Sequence, residues 1–225
     1  MAPENLQFIT ELLFVVPCVL IALVFHEFAH GFAAYKLGDP TARNFGRLSL
    51  NPLKHLDLIG TLCMIFFRFG WAKPVPINTR HFKKPRRDMA LTALAGPAMN
   101  LLLAFVGVLL HRILGRVFLE AVLTSAGSYG TTVLSVTFFF ITTFVSVNLS
   151  LAVFNLIPIP PLDGSRLLMI VLPPRAYMWV AQNERYIMLV LMVLLWTGIL
   201  SIPLTSLMNL ILSGMNALVG LIPFL

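Results

Sequence analysis

The chain has 225 residues, of which 58% are hydrophobic and only 11% are charged, and its mean hydropathy is +0.89. A soluble domain contains about 25% charged residues, so this chain has too few to cover a water-facing surface. The composition excludes an ordinary soluble protein and predicts a multi-pass protein of the cell membrane, in contact with the lipid bilayer.

The net charge of +7 is concentrated in one segment, because 11 of the 16 Lys and Arg residues lie between Lys36 and Arg87. Basic loops beside membrane spans are typical of the cytoplasmic side, where anionic lipid headgroups are the expected partners. We therefore expect residues 36–87 in the cytoplasm and the N-terminus outside. Nucleic-acid binding is not expected, since no recognition module accompanies these charges.

The first long apolar segment covers residues 8–35. It is too long for a cleaved signal peptide, and its N-terminal flank carries Glu4 and Glu11 instead of basic residues. We predict a membrane-spanning helix that ends at Gly38-Asp39-Pro40. Cys18 and Cys63 lie in apolar stretches without CxxC spacing, so neither a disulfide framework nor a cysteine metal site is expected.

The basic segment that follows is rich in Pro and Asn, and it contains the short apolar run Leu58–Phe67. That run is too short to cross a bilayer and predicts a re-entrant or interfacial segment. Around it, Arg43–Leu50 and Val75–Asn78 are candidates for short extended pieces. Such backbone is tolerated near lipid where protein covers it or where it lines a wet cavity.

Further spans are predicted at about residues 89–110, 131–156 and 186–200, with a connection of about 20 residues between the first two of these. The tail after Pro203 fits either a fifth span or an interfacial helix. The predicted fold is an all-α polytopic bundle of four to five spans with a small membrane-associated β or re-entrant element. Residues 1–225 form one domain in this prediction, with the C-terminal spans within about 186–225.

The string His26-Glu27-Phe28-Ala29-His30 is an HExxH motif on the first predicted helix. Residues four apart share a helical face, so both imidazoles can bind one Zn²⁺ ion while Glu27 takes a proton from water. Two His and one Glu at membrane depth are unfavourable unless they are paired or bind a metal. The alternative is a polar face at a helix–helix interface.

A catalytic zinc site usually has three protein ligands and one open position. Asp163 is the best candidate for the third ligand, because it follows an apolar span that ends on the same side of the membrane. Pro158, Pro160 and Pro161 prevent a regular helix before it, and Gly164 permits close backbone approach. Alternatively, Asp163 caps the next helix or forms an Asp-Gly turn.

With these motifs in place, the sequence resembles the site-2 proteases, the intramembrane zinc metalloproteases of the M50 class, in a small form without a PDZ domain. HExxH is His26–His30 and NxxPxPxxDG is Asn155–Gly164. Similar strings occur at Gly38–Ala42, Gly46–Pro52, Gly70–Pro76 and Ala95–Asn100, so the resemblance covers most of residues 20–170.

The resemblance implies that His26, His30 and Asp163 bind one catalytic Zn²⁺ ion and that Glu27 is the general base. It places Asn155 in the active site, where its amide can bind the substrate carbonyl; the alternative is that Asn155 satisfies a backbone carbonyl near the prolines. Gly96, Pro97 and Asn100 also match the family but are not assigned to catalysis, since a kink with close packing explains the first two.

The resemblance further implies that region 43–80 forms a small sheet that receives an unwound substrate as an added strand. His55, Trp71 and His81 lie in this region, where they either contact substrate or are ordinary surface and interfacial residues. The expected activity is that of an intramembrane endopeptidase acting on transmembrane segments of single-pass proteins, with its active site toward the cytoplasm. A zinc transporter and a catalytically silent substrate-binding scaffold are the alternatives. The sequence does not indicate an oligomeric state.

Overall fold

A computed structural model describes residues 3–57, 60, 73–123 and 128–222. In chain order, the α-helices of these residues are α1 (Pro3–Lys36), α2 (Thr41–Asn44), α3 (Pro85–Leu123), α4 (Ser128–Asn155), α5 (Leu168–Val171), α6 (Pro174–Gln182), α7 (Glu184–Trp196) and α8 (Ser201–Gly220). Short 3₁₀ helices occur at Pro52–Lys54, Thr79–His81 and Asp163–Leu167.

Four of these helices are long and apolar enough to cross a membrane: Leu12–Lys36, Pro85–Leu119, Thr132–Asn155 and Ser201–Gly220. Helices α6 and α7 meet at a bend of 67° and together pass the same test, either as a broken fifth span or as a re-entrant loop. The structure thus confirms an all-α membrane protein with four to five spans.

The structure gives the helix ends in two of the predicted later elements. Helix α7 has 13 residues, so at about 1.5 Å per residue it is too short to cross a hydrocarbon core of roughly 30 Å by itself. It ends before a turn in which Gly198 has φ +73, a conformation that favours glycine. The expected connection after residue 110 is helical as far as Leu123, because a helix does not have to end where it leaves the lipid.

The basic segment also differs from its prediction. Arg43 and Asn44 belong to α2, and turns follow them, so Arg43–Leu50 is not an extended piece. Within residues 43–57 and 73–80 the structure contains no regular strand. One backbone hydrogen bond, from Lys73 N to His55 O at 2.8 Å, joins the two parts. The predicted re-entrant run, apart from Gly60, lies outside the described residues, as do Cys63 and Trp71.

Helix α3 lies at the centre of the bundle and packs against α1, α4 and α8. On one side, apolar residues of α3, α4 and α8 form the buried cluster Ala104, Val108, Ile141, Val145, Leu149, Met215 and Val219. On its other side α3 faces α1, where the buried residues include polar groups: His26, His30, Thr92 and Asn100. The polar part of the core therefore lies between α1 and α3.

Candidate active site

His26 and His30 project from α1 toward α3 and are 5% and 6% exposed. Their Nε2 atoms lie 3.0 Å apart, since the spacing of four residues stacks them on one helical face. Asp163 Oδ2 approaches both, at 3.0 Å from His26 Nε2 and 3.1 Å from His30 Nε2. The structure brings together the three residues that were predicted as metal ligands.

The segment between α4 and Asp163 explains how an aspartate reaches this position. Helix α4 ends at Asn155, the Pro160–Pro161 peptide is cis, and Asp163 begins a 3₁₀ helix. A Cβ on Gly164 would lie 2.5 Å from the carbonyl oxygen of Ile157, so only glycine lets the chain fold back this closely. This return places the Asp163 carboxylate beside the two imidazoles.

The Nδ1 atoms of both imidazoles, which face away from Asp163, are held by hydrogen bonds. His30 Nδ1 lies 2.7 Å from the carbonyl oxygen of Thr92, which can only accept, so His30 Nδ1 carries the proton. His26 Nδ1 lies 2.6 Å from Asn100 Oδ1. Asn100 Nδ2 faces the carbonyl oxygen of Ala22 at 3.2 Å, which fixes the amide orientation and makes His26 Nδ1 a donor as well.

In a neutral imidazole, a proton on Nδ1 leaves the lone pair on Nε2, so both Nε2 atoms can face a cation together with the Asp163 carboxylate. These three electron-rich atoms lie within 4.8 Å of one another, and a cation among them would offset their mutual repulsion. A tetrahedral zinc ion with bonds of about 2.0–2.2 Å separates its ligands by roughly 3.3–3.5 Å, close to the spacing found here. The donor set therefore fits a zinc ion.

Gly96 on α3 has no side chain, and the imidazoles of His26 and His30 occupy the space beside it. A Cβ built on Gly96 would lie 2.6 Å from the Cε1 atoms of both His26 and His30 and closer still to His30 Nε2. Gly96 was expected only to allow close packing of helices. The structure shows that the close neighbours are the two histidines.

Glu27 is half-buried beside the histidines and faces residues 73–78, which have no regular secondary structure and are here called the strap. Val75 N donates to Glu27 Oε2 at 2.9 Å, which fixes one carboxylate oxygen. Arg47 Nη2 donates to the carbonyl oxygens of Lys73 and Pro74 and holds the start of the strap. The strap therefore runs directly past the Glu27 carboxylate.

The far end of the strap is held by Asp39, whose side chain is fully buried. Asp39 accepts hydrogen bonds from Asn78 N at 2.7 Å, Thr41 N at 3.0 Å and His81 Nδ1 at 2.9 Å. Burial acts to raise the pKa of Asp39, but hydrogen bonds from Thr41, Asn78 and His81 outweigh it and hold the pKa below its usual range. Asp39 is thus an ionised anchor at the end of α1.

The remaining candidate residues, which are His55, His81 and Asn155, have structural contacts. His55 is 1% exposed and its Nε2 lies 2.6 Å from the carbonyl oxygen of Ser49, so the expectation of a surface histidine was wrong. His81 is partly exposed and binds Asp39. Asn155 donates through Nδ2 to the carbonyl oxygen of Leu151 at 3.0 Å, one turn earlier in α4. Its catalytic role remains a prediction.

Comparison with known proteins adds independent information to this geometry. Residues 14–199 match the family described as Peptidase family M50. The chain belongs to this family. Named relatives include "Putative zinc metalloprotease YwhC" of Bacillus subtilis, which is 40% identical over 200 residues, covering 87% of this chain and 86% of the relative. No solved structure matches.

More distant relatives carry a similar name. "Putative zinc metalloprotease Rip2" of Mycobacterium tuberculosis is 30% identical over 181 residues, covering 78% of this chain and 63% of the relative. Its counterpart in Mycolicibacterium smegmatis is 31% identical over 207 residues, covering 87% and 71%. This M50 peptidase is therefore a zinc metalloendopeptidase of the site-2 protease type, which sits in a lipid bilayer and acts on protein substrates.

Sequence reasoning missed Thr92, Asn100 and Asn148 as partners of the site. All three are fully buried polar residues in apolar spans. A polar residue at membrane depth is unfavourable without a partner, so each of them could have been singled out by that rule. Their partners could not, because the contacts join different spans.

Proposed function

We propose that this M50 peptidase cleaves the transmembrane segments of single-pass membrane proteins, with His26, His30 and Asp163 holding one zinc ion. The observation that carries this proposal is the convergence of two imidazole nitrogens and a carboxylate oxygen, with the neighbouring Glu27 bonded to the strap. When bound, zinc supplies Lewis acidity that polarises a carbonyl and makes water a better nucleophile.

In this proposal Glu27 is the general base. Val75 N holds Oε2, so Oε1 accepts the proton when the water oxygen bonds to the scissile carbonyl carbon. As the carbon–nitrogen bond breaks, Glu27 returns that proton to the leaving amine. Asn155 binds the substrate carbonyl oxygen through its amide, as the family resemblance implies.

The position of the strap supports this substrate class. A helical segment hides its carbonyls in internal hydrogen bonds and must unwind before hydrolysis. Residues 73–78 are extended at Asn78, with φ −117 and ψ 103, and are held by Arg47, Glu27 and Asp39. A segment that is held beside the base and is extended at Asn78 is a template on which an unwound peptide pairs as a neighbouring strand.

The first experiment compares wild type with Glu27→Gln in lipid vesicles that contain a single-pass substrate. We expect zinc content to stay the same while cleavage is lost, because glutamine cannot accept the proton. Equal cleavage by the two proteins would refute the mechanism. An unstructured soluble peptide serves as the second substrate, and faster cleavage of that peptide than of the membrane substrate would refute the substrate class.

We also propose that the protein lies in the cell membrane with the site toward the cytoplasm, because the basic residues of segment 36–87 flank it. Lys54 is exposed in this segment. A Lys54→Cys substitution in a Cys63→Ser background is expected to resist a membrane-impermeant maleimide in intact cells and to react in inside-out vesicles. The reverse labelling pattern would place the site on the outer side.

The described residues contain one group of three or more His, Cys, Asp and Glu side chains that could hold a metal. A transporter needs successive sites along a path, so this single group supports the peptidase over the transporter alternative. Zinc flux in sealed vesicles would favour the transporter. The intact set of His26, Glu27, His30 and Asp163 likewise supports catalysis over a silent scaffold.

A further inference from the structure

A chain of side-chain amides crosses all three spans that surround the site. His26 on α1 lies against Asn100 Oδ1 on α3. Asn100 Nδ2 donates to Asn148 Oδ1 on α4 at 2.9 Å, and Asn148 Nδ2 donates to the carbonyl oxygen of Phe144 at 2.9 Å. Asn100 and Asn148 are both 0% exposed, so water does not compete for these bonds.

Two backbone carbonyls determine the direction of the bonds in this chain: that of Phe144 orients Asn148, and that of Ala22 acts with Asn148 to orient Asn100. A backbone carbonyl can only accept, so the carbonyl of Phe144 requires the NH₂ group of Asn148 to face it. Asn148 Oδ1 then faces Asn100 and requires the NH₂ group of Asn100. Asn100 Oδ1 is left to face His26, so His26 Nδ1 donates, and in the neutral imidazole this leaves the lone pair on Nε2.

We infer that Asn100 and Asn148 form an amide relay that holds His26 in its zinc-binding tautomer and orientation, and that Asn148 sets zinc affinity without contacting the metal. Both are positioning residues, and the inference rests on the proposed zinc site. A histidine ligand normally donates its second nitrogen to an oriented acceptor, which raises its basicity. Here the acceptor on α3 is itself oriented by a residue on α4.

Buried asparagines can also simply hold spans together, since interhelical hydrogen bonds stabilise membrane bundles. The two roles predict different results. If the asparagines only hold the spans together, substituting them lowers the stability of the metal-free protein and leaves the intrinsic zinc affinity unchanged. If they form a relay, substituting them lowers the zinc affinity, and the effect of Asn148 depends on Asn100.

The experiment measures the zinc dissociation constant by chelator competition, and thermal unfolding of the chelated protein, for each variant in detergent. We expect Asn100→Leu to weaken zinc binding about 10–100-fold, the range seen when the direct partner of a histidine ligand is removed. Asn148→Leu is expected to weaken it by roughly three- to tenfold, because the acceptor on Asn100 stays but its orientation is less restricted.

A second substitution, Asn148→Thr, removes the link between spans and keeps the bond within the helix. Thr137 and Thr142 show that a threonine of α4 bonds the carbonyl four residues earlier, at 2.9 Å in each case. Asn148→Thr is therefore expected to fold like wild type and to weaken zinc binding as Asn148→Leu does. Thr142→Val, which removes only a bond within the helix, is the matched control and is expected to bind zinc like wild type.

The double variant Asn100→Leu/Asn148→Leu separates a relay from two independent effects. A relay predicts that zinc affinity in the double variant equals that of Asn100→Leu alone. Multiplied effects, or wild-type affinity in Asn148→Thr, would overturn the inference. If wild type holds no zinc, or Asp163→Ala holds as much as wild type, the proposed ligand set is wrong instead, so the two failures can be told apart.

Discussion

Gly96→Ala is the substitution that tests the metal centre most directly, because it adds one methyl group between the two histidines. The new Cβ would lie 2.6 Å from the Cε1 atoms of His26 and His30. Carbon atoms in contact are about 3.5–4.0 Å apart, so the imidazoles would have to move by roughly 1 Å. Zinc ligands keep their distances within about 0.2 Å, so a shift of this size disrupts the ligand set.

We expect Gly96→Ala to weaken zinc binding by at least about 10–100-fold, the loss that follows from disturbing a single histidine ligand, and to lower proteolysis accordingly. The helix itself is expected to gain stability, since alanine is better than glycine inside a helix by about 0.5–1 kcal/mol. The structure thus predicts a folded protein with a damaged metal centre.

Two other glycines on α3 supply the controls. Gly115→Ala places its Cβ 3.8 Å from Phe138, an ordinary contact, and should leave zinc binding unchanged. Gly107→Ala places its Cβ 2.6 Å from Val145 Cγ2 and should destabilise the packing of α3 on α4 by about 1–3 kcal/mol without affecting zinc. The assay is zinc titration with thermal unfolding. Wild-type zinc affinity in Gly96→Ala would refute the geometry of the site.

Two further predictions concern carboxylates. After a mild chelator wash we expect wild type to keep about one zinc ion per chain and Asp163→Ala to lose it, because two histidines alone make a weak site. Equal zinc retention by the two proteins would show that Asp163 is not a ligand. Because the pKa of Asp39 is lowered on folding, its charge stabilises the fold above the usual Asp value of about 3.9, and this contribution is lost as the pH falls toward the folded pKa. We expect the melting temperature of wild type to fall below about pH 4 and that of Asp39→Asn to fall less there; parallel curves would contradict this role.

The ligands of the site could be predicted from sequence because each motif is local. In HExxH, a helical backbone is enough to place the two histidines on one face. The prolines before Asp163 predict a stretch without regular helix. What could not be predicted is which residue of another span meets each imidazole. The pairing of His26 with Asn100 joins residues 74 positions apart, and a single sequence does not specify such a contact.

The spans were predictable from apolar length, but the ends of the helices were not. The span predicted at about residues 89–110 continues as helix α3 through His111, Arg112 and Arg116, because charged side chains can extend into the headgroup region while the backbone stays helical. The strap was predicted as an extended piece, and its backbone is held by Arg47, Glu27 and Asp39 in place of a strand partner. Hydrogen bonds from side chains to a backbone segment cannot be predicted from a hydropathy profile.

The arrangement of polar groups explains why the three core spans must pack together for the site to exist. Helix α1 provides both imidazoles, α3 provides the empty space at Gly96 and the acceptors for Nδ1, and the chain after α4 provides Asp163. Each of these groups is unfavourable in lipid by itself, and each is satisfied only by a group from another span. Assembly of the bundle and assembly of the metal centre are therefore the same event, and zinc binding is expected to stabilise the packing of α1 against α3.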